Sequence, residues 1–184
     1  LQPSPLILLQ PGARWQTKRW PVENFAELVR LLSKQLPEAR FAILGDTGDK
    51  PLGETISRAL PERCLNLCGK TSLPEMIEWL RLCDLLITND TGPMHAAAAL
   101  NQPLIALFGP TDPHRTGPYG HLKNVLQIEL PCSPCFKSRC VWKNPNECLT
   151  AVSPDMVVER ALKLTPSASR KEFASIPSGR NGFD

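Results

Sequence analysis

No stretch of this 184-residue chain approaches the roughly 20 consecutive apolar residues that a membrane-spanning helix requires. Its start shows no charged-then-apolar leader, so no signal peptide is expected. Charge of one sign is also scarce. The 21 Lys and Arg stand against 18 Asp and Glu, and a net charge of +3 is too mild to argue for nucleic acid. An even cysteine count is missing as well: seven thiols and no leader favour a reducing, cytoplasmic compartment over a disulfide framework. What is present, 42% apolar and 21% charged residues, suits one globular domain large enough for a proper core. The chain begins at Leu1 without a methionine and is read as part of a longer protein.

The stretch from Asp84 to Leu100 organises the rest. Leu85-Leu86-Ile87 has the composition of a buried strand. Asn89-Asp90-Thr91-Gly92-Pro93 is a polar turn, and Met94-His95 followed by four alanines opens a helix with proline in its first turn. Such a helix start carries unpaired N–H groups and a fractional positive charge, so it is a ready anion site. The plainer reading makes Asp90 or Thr91 a simple cap, but Asp, Thr, Gly and His together exceed what a cap needs.

Around that stretch, strands alternate with helices. Strands are expected at 6–9, 40–44, 64–67, 103–108 and 125–128. Helices are expected at 22–36, at 53–60, from the Ser72–Glu75 capping box to Leu82, and from Pro154 to Leu164. This order predicts an α/β, Rossmann-like parallel sheet with helices on both faces over residues 1–164. In such sheets ligands sit at the carboxyl ends of the strands, where the segments 12–21, 45–49, 89–95 and 109–120 all fall. The first is basic and glycine-containing, and Lys18 is its best phosphate ligand. Glu54, on the short helix after the second strand, is the candidate ribose partner.

Cys64, Cys68 and Cys83 read as buried thiols. Cys132, Cys135, Cys140 and Cys148 could hold zinc or an iron–sulfur cluster. Their spacing is not that of a zinc ribbon and no histidine joins them, so reduced or partly paired thiols are the expected state. Lys137, Arg139 and Lys143 between them read as a solvated charged face, or as a peripheral contact with anionic lipid A phosphates at a membrane. Residues 165–184, rich in Ser, Pro, Gly and charge, are expected to be disordered.

The motifs N-D-T-G-P-M-H-A-A-A-A-L, L-F-G-P-T-D-P and P-G-A-R-W-Q-T-K-R-W-P together resemble the donor-binding half of ADP-heptose:lipopolysaccharide heptosyltransferases, glycosyltransferase family 9. The segment P-C-S-P-C-F-K-S-R-C is similar to the heptosyltransferase II branch. The resemblance covers about residues 6 to 164 and implies the C-terminal domain of a two-domain GT-B transferase. It implies an inverting enzyme moving heptose from ADP-heptose to the lipopolysaccharide inner core, with no cofactor and no metal-dependent chemistry. Lys18, with Thr17 nearby, would meet the diphosphate. Asp90, Thr91 and Gly92 would contact the donor, His95 would lie near the pyrophosphate or heptose, and Glu54 would meet the ribose. The base in that family is an acid of the N-terminal domain, so no catalytic residue is assigned here. Two other readings stay open: a GT-B transferase or epimerase for another nucleotide sugar, and a non-catalytic nucleotide-binding module with a metal-bound cysteine knuckle.

Overall fold

The structure, a computed structural model, describes residues 4–165. Apart from Thr165, the segment expected to be disordered therefore lies outside the described residues.

Six strands form one parallel sheet: β1 (Leu6–Gln10), β2 (Arg40–Ile43), β3 (Cys64–Asn66), β4 (Leu85–Asn89), β5 (Leu104–Phe108) and β6 (Val125–Gln127). Their order is β3-β2-β1-β4-β5-β6. Every residue of β4 and β5 is buried, as expected of strands covered on both faces and written as continuous apolar runs.

One face is covered by α1 (Val22–Gln35), α2 (Lys50–Ser57) and, beyond the last strand, α7 (Pro154–Leu164). Their apolar stripes, including Phe25, Leu28, Leu32, Ile56, Val157 and Ala161, pack on Ile7, Leu9, Phe41 and Ile105. The other face carries α3 (Leu73–Leu82) and α4 (Gly92–Ala99), whose Leu80, Met94 and Ala97 pack with Leu8, Leu86 and Phe108. Truncating a fully buried residue such as Phe25 removes about 3–5 kcal/mol of stability.

The expected elements form, with α2 displaced and several short helical turns added. Helix α2 begins at Lys50 rather than Gly53, because Asp46 and Asp49 make a reciprocal capping box that starts the turn earlier. Two short helices, α5 (Pro113–Thr116) and α6 (Glu147–Thr150), form where no element is expected. In α5 the Asp112 side chain accepts from the His114 N–H and caps it.

Strand order matters most for position. The chain builds outward from β1 to β3, then returns to add β4 on the other side of β1. The loops leaving β1 and β4 therefore diverge at the switch point, where open α/β sheets bind ligands.

Candidate functional site

A cleft of about 620 Å³ opens at that edge, between the loop after β1, the loop after β2, the start of α3 and the leading end of α4. Arg14, Arg19, Asp46, Asp49, Ser72 and Thr91 supply polar groups, and Met76 adds an apolar contact. Both charges are therefore present, with backbone exposed at Gly12 and Gly45.

At the leading end of α4, Lys18 Nζ lies 2.7 Å from Asp90 Oδ2. The same oxygen accepts a 2.6 Å hydrogen bond from Thr111 Oγ1. Asp90 is buried, so both donors act where the charge is poorly solvated, and such bonds exceed neutral ones in strength. Lys18 also stands 4.9 Å above the Trp15 ring, within cation–π range. A short 3₁₀ turn, Gln16–Lys18, presents it.

Thr91 precedes α4 in extended conformation and makes no side-chain cap. Gly92 is exposed, and a Cβ placed there would meet nothing within 4 Å. The positive end of α4 thus faces open space with a lysine beside it, an arrangement that suits a phosphate.

Asn89, fully buried at the end of β4, ties these loops together. Its Nδ2 donates to the Pro11 carbonyl at 2.7 Å, and its Oδ1 accepts from the Trp20 backbone N–H at 3.1 Å. Trp20 is anchored in turn by its indole N–H on the Val152 carbonyl at 2.8 Å and by an edge-on contact with Phe25. The tryptophan of this basic loop is therefore structural, and it fixes where Lys18 begins.

On the other wall, Asp49 is buried against Gly12, where a Cβ would come within 2.0 Å of its carboxylate. Its Oδ2 accepts from the Asp46 N–H at 3.2 Å, and the Arg19 guanidinium lies 3.6 Å from Oδ1. Burial, the largest influence, pushes the Asp49 pKa above its ordinary 3.8. The Asp46 N–H opposes the rise, the Asp46 charge adds to it, and Arg19 opposes it again.

The expected site residues separate into two groups. Lys18, Asp90, Thr91 and Gly92 come together at the start of α4, and His95 is exposed one turn in. Thr17 and Glu54 do not join them. Thr17 is buried and donates its hydroxyl to the Lys137 carbonyl at 2.9 Å. Glu54 lies on α2 away from the cleft lining, its exposed carboxylate 3.8 Å from Arg58. The acids lining the cleft are instead Asp46 and Asp49, earlier in the chain, in a loop the sequence marks as polar and glycine-rich. Thr111 and Asn89 carry no comparable signal, because both resemble ordinary turn formers.

All seven cysteines are free. Burial pushes Cys64 and Cys83 up to about 12 and Cys68 up to about 11, as befits inert core thiols. Cys132, Cys135, Cys140 and Cys148 surround one small cavity of about 20 Å³. The Asn146 N–H donates to Cys140 Sγ at 3.3 Å. Burial, reinforced by the other three thiols, pushes Cys148 up to about 11. Among the described residues, no three His, Cys, Asp or Glu side chains form a group that could hold a metal ion.

Comparison with known proteins fits this geometry. The family described as glycosyltransferase family 9 (heptosyltransferase) matches residues 2–145. Lipooligosaccharide heptosyltransferase 2 of Haemophilus influenzae is 42% identical over 67% of this chain and 37% of its own length. Lipopolysaccharide heptosyltransferase 2 of Escherichia coli is 38% identical over 67% of this chain and 36% of its own. The solved Escherichia coli ADP-heptose LPS heptosyltransferase II superposes with a TM-score of 0.75 at 32% identity, covering 88% of this chain and 46% of that one. The chain thus spans less than half the length of these relatives. With its family profile matched over most of its residues, this chain belongs to glycosyltransferase family 9, the heptosyltransferases.

Proposed function

We propose that this chain is the donor-binding half of an inverting transferase that moves a heptose from ADP-heptose to the lipopolysaccharide inner core. The observation carrying the proposal is the Lys18–Asp90 pair at the open leading end of α4. The relatives supply the sugar nucleotide and acceptor class through what they are named for. Their identity does not favour the alternative of an epimerase or another nucleotide sugar.

In this reading the diphosphate lies across the first turn of α4, met by the Gly92 backbone and by the Lys18 ammonium. The Asp46 and Asp49 carboxylates take the ribose hydroxyls in place of Glu54. Asp90 orients Lys18, and Asp90 and His95 are the groups proposed to meet the sugar. As the anomeric bond breaks, negative charge grows on the departing diphosphate, and fixed positive groups lower the barrier most where they face that growing charge. The base that takes the acceptor's proton comes from the other domain of the GT-B architecture. No metal or cofactor enters the proposal.

No helix among the described residues is long and apolar enough to cross a membrane. The proposed reaction places the protein on the cytoplasmic side of the inner membrane, with the N-terminal domain of the enzyme and the lipid-borne acceptor as partners. Calorimetry with ADP tests the donor site. Weak but saturable binding without turnover by this chain alone is expected, and no heat at millimolar ADP would overturn the reading.

A further inference from the structure

Beside the donor cleft, the segment between Glu129 and Glu147 contains no acidic residue and no regular element before α6. Its cations Lys137, Arg139 and Lys143 are exposed. None of them has an ion-pair partner among the described residues, nor does Arg115. Apolar groups stand out among these charges: Val141 is 75% exposed and Phe136 39%. Arg115 lies 5.0 Å over the Phe136 ring, which brings the α5 segment into the same patch. Isolated exposed apolar residues need no explanation, but apolar groups interleaved with unpaired cations do.

The patch is also seated firmly. The Phe136 N–H donates to the Pro110 carbonyl at 2.8 Å, and Ser133 Oγ donates to the Gly109 carbonyl at 2.7 Å. The Lys137 carbonyl accepts from Thr17 Oγ1 at 2.9 Å, immediately before Lys18 in the chain. A segment without secondary structure is thus held against the carboxyl end of β5 and against the turn that presents the donor lysine.

We infer that this face, Phe136 to Lys143 with Arg115, docks on an anionic lipid bilayer. The inference rests on the donor-site reading only for its purpose, which is to hold the donor lysine near a lipid-borne acceptor. The cations attract anionic headgroups, and Phe136 and Val141 enter the headgroup boundary, which a soluble polyanion would leave exposed. Each cation near such a surface strengthens binding about fivefold, so neutralising three removes about a hundredfold and reversing their sign removes more. The interaction weakens with salt because headgroup attraction falls off within a Debye length.

Co-sedimentation of the full chain with vesicles tests this. Binding is expected to phosphatidylcholine–phosphatidylglycerol vesicles and not to phosphatidylcholine alone, with loss in high salt. The Lys137→Glu, Arg139→Glu, Lys143→Glu triple variant should lose more than about a hundredfold, and Val141→Ser a smaller factor that heparin binding does not share. No pelleting with the anionic vesicles, or equal binding by wild type and triple variant, would overturn the inference. Val141→Ser binding like wild type while heparin displaces the vesicles would assign the face to a soluble polyanion and overturn it equally. Calorimetry with ADP on the same proteins separates the two ideas: the triple variant should bind ADP as wild type does, and failure of ADP binding leaves the vesicle result standing.

Discussion

Lys18 and Asp90, separated by 72 positions, form an ion pair of 2.7 Å at the leading end of α4, which no side chain caps. The lysine side chain is 19% exposed and the carboxylate 5%, so the pair is half inside the protein while the ammonium still reaches solvent. Under the proposed function, a cation held this way is oriented before a diphosphate arrives.

Lys18→Ala should weaken ADP binding by between about tenfold and a hundredfold, the worth of one charge-assisted hydrogen bond. It also leaves the buried Asp90 carboxylate without its cation, with the Thr111 hydroxyl still donating to it, so stability should fall too. Calorimetry and denaturant melts read the two effects separately, and unchanged ADP affinity would remove Lys18 from the site.

Thr111→Val deletes the hydroxyl that donates to Asp90 at 2.6 Å and keeps the shape. The expected loss is about 1–3 kcal/mol of stability, since a buried carboxylate loses one of its two donors. Thr111→Ser should restore most of it. If both variants melt alike, the hydrogen bond is not what matters at this position.

The same substitution should give opposite results at two glycines. Gly12→Ala drives a Cβ to within 2.0 Å of the Asp49 carboxylate and should cost about 1–3 kcal/mol of stability. Gly92→Ala meets nothing within 4 Å, so the fold should be unaffected while ADP affinity drops. Loss of stability at Gly92 with ADP affinity intact would reverse the argument about the open helix end.

The raised pKa of Asp49 makes a pH prediction with a definite sign. A carboxyl whose folded value lies above its ordinary 3.8 supports the fold fully below 3.8, and that support is lost as pH rises through the folded value. Asp49→Asn keeps an acceptor for the Asp46 N–H and removes the titration. Its stability relative to wild type should therefore climb with pH above about 3.8 and then level. Denaturant midpoints across the acidic range would show this, and a flat difference would refute it.

Cys64, Cys68 and Cys83, at about 12, 11 and 12, carry almost no thiolate near neutral pH. Alkylation followed by mass spectrometry should label them only after unfolding. Rapid labelling in the native protein would mean the core is looser than its burial indicates.

How much of this was legible beforehand differs by residue. Leu85–Ile87, Leu104–Phe108 and the alanine run show their fate directly, because a buried strand or a close-packed helix leaves a composition in its own few residues. The turn at Asp90, Thr91 and Gly92 was equally plain, since polar residues before proline at a strand's end are a local pattern. Glu54 misled because one helical turn separates an acid that lines the cleft, Asp49, from one that faces Arg58, and that turn depended on where α2 began.

Local order along the chain was thus enough to establish an alternating α/β sheet, the edge at which its polar loops gather, and the family motifs. Hydrophobic periodicity reports which side of an element is covered, and glycine, proline and polar turn formers report where it ends. What the three-dimensional structure alone decided is which of those ends meet: Lys18 on Asp90, Thr111 beneath it, Asp49 under Gly12, Thr17 turned toward Lys137. These partners are brought together by the strand order β3-β2-β1-β4-β5-β6. Contacts across such separations depend on the packing of whole layers, which no short pattern encodes.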